Sequence, residues 1–130
     1  MNIAHSIHIL KNVEIVWEAI TDDHKLTQWY APGSPWSIPE LSVDAPVTFT
    51  LLPNIHNQLP DGSRITMNFK ILDLVPLQIF SIISEDDSQM ITFQLESKES
   101  ETTVYTNMEG LGQSLDNLKA FIEGNTLPHV

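Results

Sequence analysis

The sequence predicts an α+β fold, an antiparallel sheet covered by helices, on three observations. Apolar residues alternate with a period of two through the middle of the chain, the helical period appears only towards the two ends, and the alternating runs are separated by short polar turns. Strands joined by turns of a few residues must run antiparallel, because a parallel return needs a crossover of about a dozen residues or more.

Residues 3–10 open the pattern, with Ile3, Ile7 and Ile9 on one parity and Ser6 and His8 on the other, the signature of a half-buried strand. Asn12 offers a side-chain oxygen as a cap, and Val13, Val16, Trp17 and Ile20 follow at i, i+3, i+4 and i+7, so a short amphipathic helix comes next. Thr21 is expected to cap a second short helix. Asp22 and Asp23 fall in its first turn, where negative charge complements the helix dipole, and Ala31-Pro32-Gly33 stops it after Trp29 and Tyr30.

From Trp36 onward the texture is that of strands. Val47, Phe49 and Leu51 alternate with Thr48 and Thr50. Residues 53–62 form a polar turn segment ending in Pro60-Asp61-Gly62, and residues 64–74 resume with Ile65, Met67, Phe69 and Ile71 set against Thr66, Asn68 and Lys70. Further strands are expected at 77–84, at 90–96 with Ile91, Phe93 and Leu95 on one face, and at 102–108, with turns at 85–88 and 97–101. After Gly110 the helical period returns in Leu111, Leu115, Leu118 and Ile122, and Gly124 stands where a helix would stop. No repeat, low-complexity stretch or linker interrupts residues 1–130, so a single domain is expected.

The composition narrows the function. A chain of 130 residues with 42% hydrophobic residues can bury roughly two-thirds of its unfolded surface, enough for one core without metal or disulfide support. No cysteine is present, which removes thiolate nucleophiles, disulfides and cysteine zinc sites. Six Lys+Arg against 17 Asp+Glu leave a net charge of −11, so nucleic acid and anionic membranes are poor partners. The opening MNIAHSIHILKNVEIVW has neither a basic n-region nor a small-residue cleavage site, and no stretch approaches the ~20 apolar residues of a spanning helix. A cytoplasmic protein without membrane insertion is the expectation.

The run at 13–29, VEIVWEAITDDHKLTQW, followed by Tyr30-Ala31-Pro32, resembles the opening of the START-like (SRPBCC) superfamily in its branch of activator-of-heat-shock-protein-90-ATPase homologues. Val16-Trp17 with Ala19-Ile20-Thr21 and Trp29 carry the most specific part of the likeness. Residues 40–49 resemble that family's second and third strands, and 62–76, 90–95 and 101–111 resemble later ones. The chain departs from the family pattern at Asp44-Ala45-Pro46, where Gly-Gly is frequent, and at Tyr30, where Trp is usual. The resemblance implies a helix-grip fold, a curved antiparallel sheet wrapped round the C-terminal helix with a largely apolar cavity between them. The function it implies is binding of an apolar or amphipathic small molecule in that cavity. An enzyme of the polyketide-cyclase-like type and a chaperone-interacting module are the alternatives.

The titratable residues give no strong catalytic or metal pattern. His5 and His8 lie on opposite faces of a strand, His24 sits beside acids that the helix dipole already explains, and His56 and His129 fall in a turn and the tail. There is no GxSxG elbow. Asp73 shares the parity of Phe69 and Ile71 and could be a buried base, but a bulge or strand end beside Pro76 would turn it to solvent. No catalytic residue, metal or cofactor is therefore expected. The candidate ligand contacts are Trp17, Trp29 and Trp36, whose indoles combine an apolar face with one N–H, and a lining of Met67, Phe69, Ile71, Phe93, Leu95, Val104 and Met108. Leu115 and Leu118 face that lining from the closing helix, and Thr106 is the polar handle within it.

Overall fold

Asn12 accepts a hydrogen bond from the Ile15 backbone N–H at 3.1 Å and starts the first helix where its sequence predicts. The computed structural model describes residues 2–53 and 59–130, and the expected solvated histidine at position 56, with part of the 53–62 turn, lies outside the described residues. The elements are β1 (His5–Ile9), α1 (Val13–Thr21), α2 (Asp23–Trp29), β2 (Trp36–Ser37), β3 (Pro46–Leu51), β4 (Ile65–Val75), β5 (Ile79–Ser84), β6 (Met90–Lys98), β7 (Glu101–Thr106) and, after a 3-10 turn at Glu109–Leu111, α3 (Gly112–Glu123).

The seven strands form one curved antiparallel sheet in the order β1-β7-β6-β5-β4-β3-β2. β2 to β7 therefore run as a meander, and β1 closes the sheet beside β7, with Ile7 opposite Val104. The inner face carries the predicted parities: Val47, Phe49, Phe69, Ile71, Phe93, Leu95 and Val104 are all buried. α3 lies against β1, flanked by α1 and α2, so the sheet and the three helices share one core. Trp29, Ile20, Ile71, Val104, Leu115 and Leu118 are among its fully buried side chains.

Several local expectations are corrected. Asp22, not Thr21, caps α2: its Oδ1 accepts from the backbone N–H of His24 at 2.9 Å and of Lys25 at 3.3 Å. Thr21 is still the last residue of α1, and its hydroxyl donates back to the Trp17 carbonyl at 2.9 Å. Residues 40–49 hold one strand instead of two. Asp23 Oδ2 takes the Ile38 N–H at 2.9 Å, and Asp44, at φ 69°, turns the chain into β4: its N–H donates to the Ile71 carbonyl at 2.8 Å, the Ala45 carbonyl accepts from the Ile71 N–H at 3.0 Å, and the regular ladder runs from Pro46 onward.

Strand ends shift for equally local reasons. Ile3 is exposed and β1 starts only at His5. β5 begins at Ile79 because Val75 accepts the Gln78 N–H at 2.9 Å across a turn. β7 ends at Thr106 because the Asn107 side chain takes over the next pairing, donating to the Met90 carbonyl at 3.0 Å and accepting from the Thr92 N–H at 2.8 Å. The turn expected at 97–101 shrinks, since β6 runs to Lys98 and β7 starts at Glu101. In β4 the register slips between Ile71 and Asp73, and this bulge leaves Asp73 exposed, which removes it as a buried base.

Two side chains of α3 close the free edge of β1. Lys119 Nζ donates to the His8 carbonyl at 2.6 Å, Glu123 Oε2 accepts from the Leu10 N–H at 3.1 Å, and the two side chains pair at 2.8 Å. An edge covered in this way offers no template for another strand. Gly112 lets α3 start this close, because a Cβ there would stand 3.2 Å from the His5 ring.

Since Leu118 is fully buried between helix and sheet, Leu118→Ala is expected to lower stability by ~2–5 kcal/mol, whereas Glu14→Ala on the exposed face of α1 changes it by no more than about 0.5 kcal/mol. Urea unfolding of the two variants reads both numbers.

Candidate functional site

A chain of aromatic rings runs through the inner face. Trp29 meets Phe93 at 6.1 Å and Tyr30 at 5.9 Å, and Tyr30 meets Trp36 edge-on at 4.9 Å and Phe49 at 5.4 Å. Trp36 stacks on Phe49 at 4.5 Å and on Phe69 at 6.4 Å. The register explains the grouping: Trp36 on β2 stands opposite Phe49 on β3, and Phe49 stands opposite Met67 on β4.

Beyond this cluster, where the β5–β6 hairpin turns, a cavity of about 350 Å³ opens. Met67 and Phe69 form its apolar part, and Asn68, Ser84, Glu85, Asp86, Ser88 and Gln89 form the rest. Gln89 also reaches Met108, its Nε2 lying 3.9 Å from the thioether sulfur.

The predicted contacts are thus divided by the structure. Met67 and Phe69 line the cavity, Trp36 stacks behind Phe69, and Met108 adjoins Gln89. Ile71, Phe93, Leu95, Val104, Leu115 and Leu118 are buried in the core and do not line it. Trp29 is fully buried, with its indole N–H donating to the Ala19 carbonyl at 2.8 Å. Trp17 is half-buried and packs edge-on against Phe80 at 6.5 Å, on β5 well before the hairpin.

Two buried side-chain polar atoms among the described residues have no hydrogen-bond partner: Trp36 Nε1 and Thr106 Oγ1. Thr106 is fully buried on the inner face, opposite His5 on one side and Phe93 on the other. An unsatisfied buried group costs about 1–3 kcal/mol, and both lie within the core and not in the cavity lining. Tyr30 lies beside Trp36, and burial pushes its phenol well above the ordinary range, which keeps it protonated.

The polar wall was not foreseen as a site. Its centre is Asp86, whose Oδ1 accepts from the Ser84 hydroxyl at 2.7 Å, the Ser88 hydroxyl at 2.6 Å and the Ser88 N–H at 3.1 Å. These bonds, led by that from the Ser88 hydroxyl, hold its carboxyl at about 2, below the ordinary 3.8. Serines two residues before and two after an aspartate are the readable signal of such a turn.

The remaining titratable groups lie apart. His5 Nε2 bonds the Glu109 carbonyl at 2.5 Å, His8 pairs with Glu101 at 3.5 Å, His129 with Asp116 at 3.1 Å, and His24 is exposed. Among the described residues no group of three or more His, Asp or Glu side chains gathers as a metal site.

The family described as activator of Hsp90 ATPase homolog 1-like protein matches residues 12–126. The chain belongs to this family. No curated protein matches its sequence. Solved structures share the fold: an AHSA1-like protein from Aeromonas hydrophila is 19% identical over 97% of this chain and 96% of that one, with a TM-score of 0.67. A protein from Arthrobacter aurescens is 16% identical over 95% of this chain and 88% of that one, with a TM-score of 0.69. The Aha1 dimer from Colwellia psychrerythraea is 23% identical over 95% of this chain and 96% of that one, with a TM-score of 0.61. The helix-grip arrangement of this chain, a curved sheet holding a C-terminal helix, is thus that of its family. No helix among the described residues is long and apolar enough to cross a membrane.

Because the folded state depresses the Asp86 pKa, Asp86 favours folding above about pH 4 and loses that contribution as pH falls through about 2. Its carboxyl carbon shift is expected to titrate with a midpoint near that lower value, and Asp86→Asn is expected to flatten the loss of stability across the same acid window. A midpoint at the ordinary value would remove the bonding described for the hairpin.

Proposed function

We propose that this protein binds an amphipathic small molecule at the end of the sheet beside the β5–β6 hairpin. The observation that carries the reading is the cavity of about 350 Å³ with Met67 and Phe69 in its wall. Its volume falls at the lower end of the ~300–1,000 Å³ usual for ligand sites, and its lining mixes apolar side chains with a few convergent polar ones. Methionine suits such a wall because its unbranched thioether chain adapts to differently shaped partners. The buried candidates, from Ile71 to Leu118, support the site by holding sheet and helices in place. Residues 1–130 are read as a single domain, a reading supported by the one continuous core.

A second reading is favoured by the family's description: contact with an Hsp90-type chaperone that raises its ATPase rate. It is checked by adding the protein to purified Hsp90 and measuring ATP hydrolysis.

Met67→Trp tests the first reading. In an open site the indole fills ligand volume, so the Kd of a neutral apolar dye such as Nile red rises at least tenfold while stability stays within about 1 kcal/mol; overpacking of a closed core instead costs ~1–3 kcal/mol. Absence of dye binding in the parent protein, together with a large loss of stability in the variant, would end the ligand-binding reading.

A further inference from the structure

The two sides of the cavity differ in chemistry. Met67 and the buried Phe69 project from β4, whereas Ser84 to Gln89 of the β5–β6 hairpin contribute hydroxyl, amide and carboxylate groups. Glu85 and Asp86 are the ionisable residues of the lining, and no Lys, Arg or His among the described residues lines it with them. An anionic ligand would meet two carboxylates without a counter-charge, in a chain whose net charge is already −11.

The carboxylate side is held in place. Ser84 N–H donates to the Gln89 carbonyl at 2.8 Å, Gln89 N–H to the Ser84 hydroxyl at 3.0 Å and Asp87 N–H to the Ser84 carbonyl at 2.9 Å. Glu85 N–H donates to the Asn68 carbonyl at 3.1 Å, which ties the polar wall to the strand that carries the apolar one. The bonds from Ser84 and Ser88 to the Asp86 side chain all end on Oδ1, which leaves Oδ2 as an acceptor for a further donor, and the exposed Glu85 carboxylate is an acceptor beside it. The Asp86 carboxylate therefore needs no rearrangement to meet a cation, and that lowers the cost of binding.

We propose that the molecule bound in this cavity is a cationic amphipath: a protonated organic amine whose apolar body lies on Met67 and Phe69 and whose ammonium group meets the carboxylates of Glu85 and Asp86. The proposal rests on the reading above that the cavity takes a small molecule, and it names the class. An ammonium group donates up to three hydrogen bonds, and Glu85, the free oxygen of Asp86 and the serine hydroxyls are acceptors. The polarizable sulfur of Met67 suits an aromatic body. The volume admits one bicyclic or short-chain amine and excludes a long lipid chain.

The test is a matched series with one apolar body and three head groups: naphthylmethylamine, naphthylmethanol and naphthoate, titrated by calorimetry at pH 7 and low salt. The amine is expected to bind at least tenfold more tightly than the alcohol, and the acid more weakly than either. Glu85→Gln and Asp86→Asn should each reduce the advantage of the amine over the alcohol by threefold or more. Glu85 makes no side-chain bond in the hairpin, so its variant remains informative even if Asp86→Asn disturbs the turn. Equal binding of amine and alcohol, tighter binding of the acid, or an amine advantage that survives Glu85→Gln would overturn the charge assignment and leave ligand binding intact. Failure of all three compounds to bind would overturn the proposal together with the reading beneath it.

Discussion

Trp29 joins four parts of the molecule at one buried point. Its indole N–H donates to the Ala19 carbonyl of α1, its ring packs on Phe93 of β6 and Tyr30 beyond α2, and its own carbonyl accepts from Asn117 Nδ2 of α3 at 3.2 Å. Asn117 is itself fully buried and binds both backbone groups of His129, at 2.8 and 2.9 Å, so the chain end is drawn to the same point. A large aromatic with its one polar atom satisfied fills the space where helices of different direction meet, and its loss would leave both a cavity and unpaired carbonyls.

The open end of the molecule follows from lengths. α3 has 12 residues and spans about 18 Å, while the 11 residues of β4 measure about 36 Å along the strand. One such helix cannot cover that strand. α3 lies against β1, α1 and α2 reach towards β6 and β2, and Met67 near the start of β4 is left half-buried beside the hairpin. The cavity stands where coverage of the inner face gives out, and the β5–β6 turn provides its second wall.

The hairpin adds chemistry to that gap. Asp86 and its two serines form a small closed network whose three bonds converge on one carboxylate oxygen, and the bond from Glu85 to the Asn68 carbonyl holds it against β4. A polar wall assembled from a tight turn and an apolar wall taken from a strand can vary independently of the core, because neither Glu85 nor Asp86 packs within it. The family's fold thus leaves the character of this site to a few surface residues.

The sequence alone determined which residues face inward, because the periods of two and of 3.6 are properties of the chain itself: Phe69, Ile71, Phe93, Val104, Leu115 and Leu118 were all legible as core-facing, and so were Asn12 as a cap and Gly124, at φ 80°, as a stop. It also indicated the family through Val16-Trp17 and Trp29. The sequence did not reveal that most of those inward residues pack against one another while Met67 and Phe69 stand beside empty space, since a pocket lining and a core have the same pattern. Nor did it join Glu85 and Asp86 to that pair: 16 positions separate Phe69 from Glu85, and only the pairing of Phe69 with Ser84 across β4 and β5 brings them together. Periodicity is local and survives in the sequence, whereas the meeting of two distant segments, and the gap left where a helix is too short for its strand, exist only once the sheet has formed.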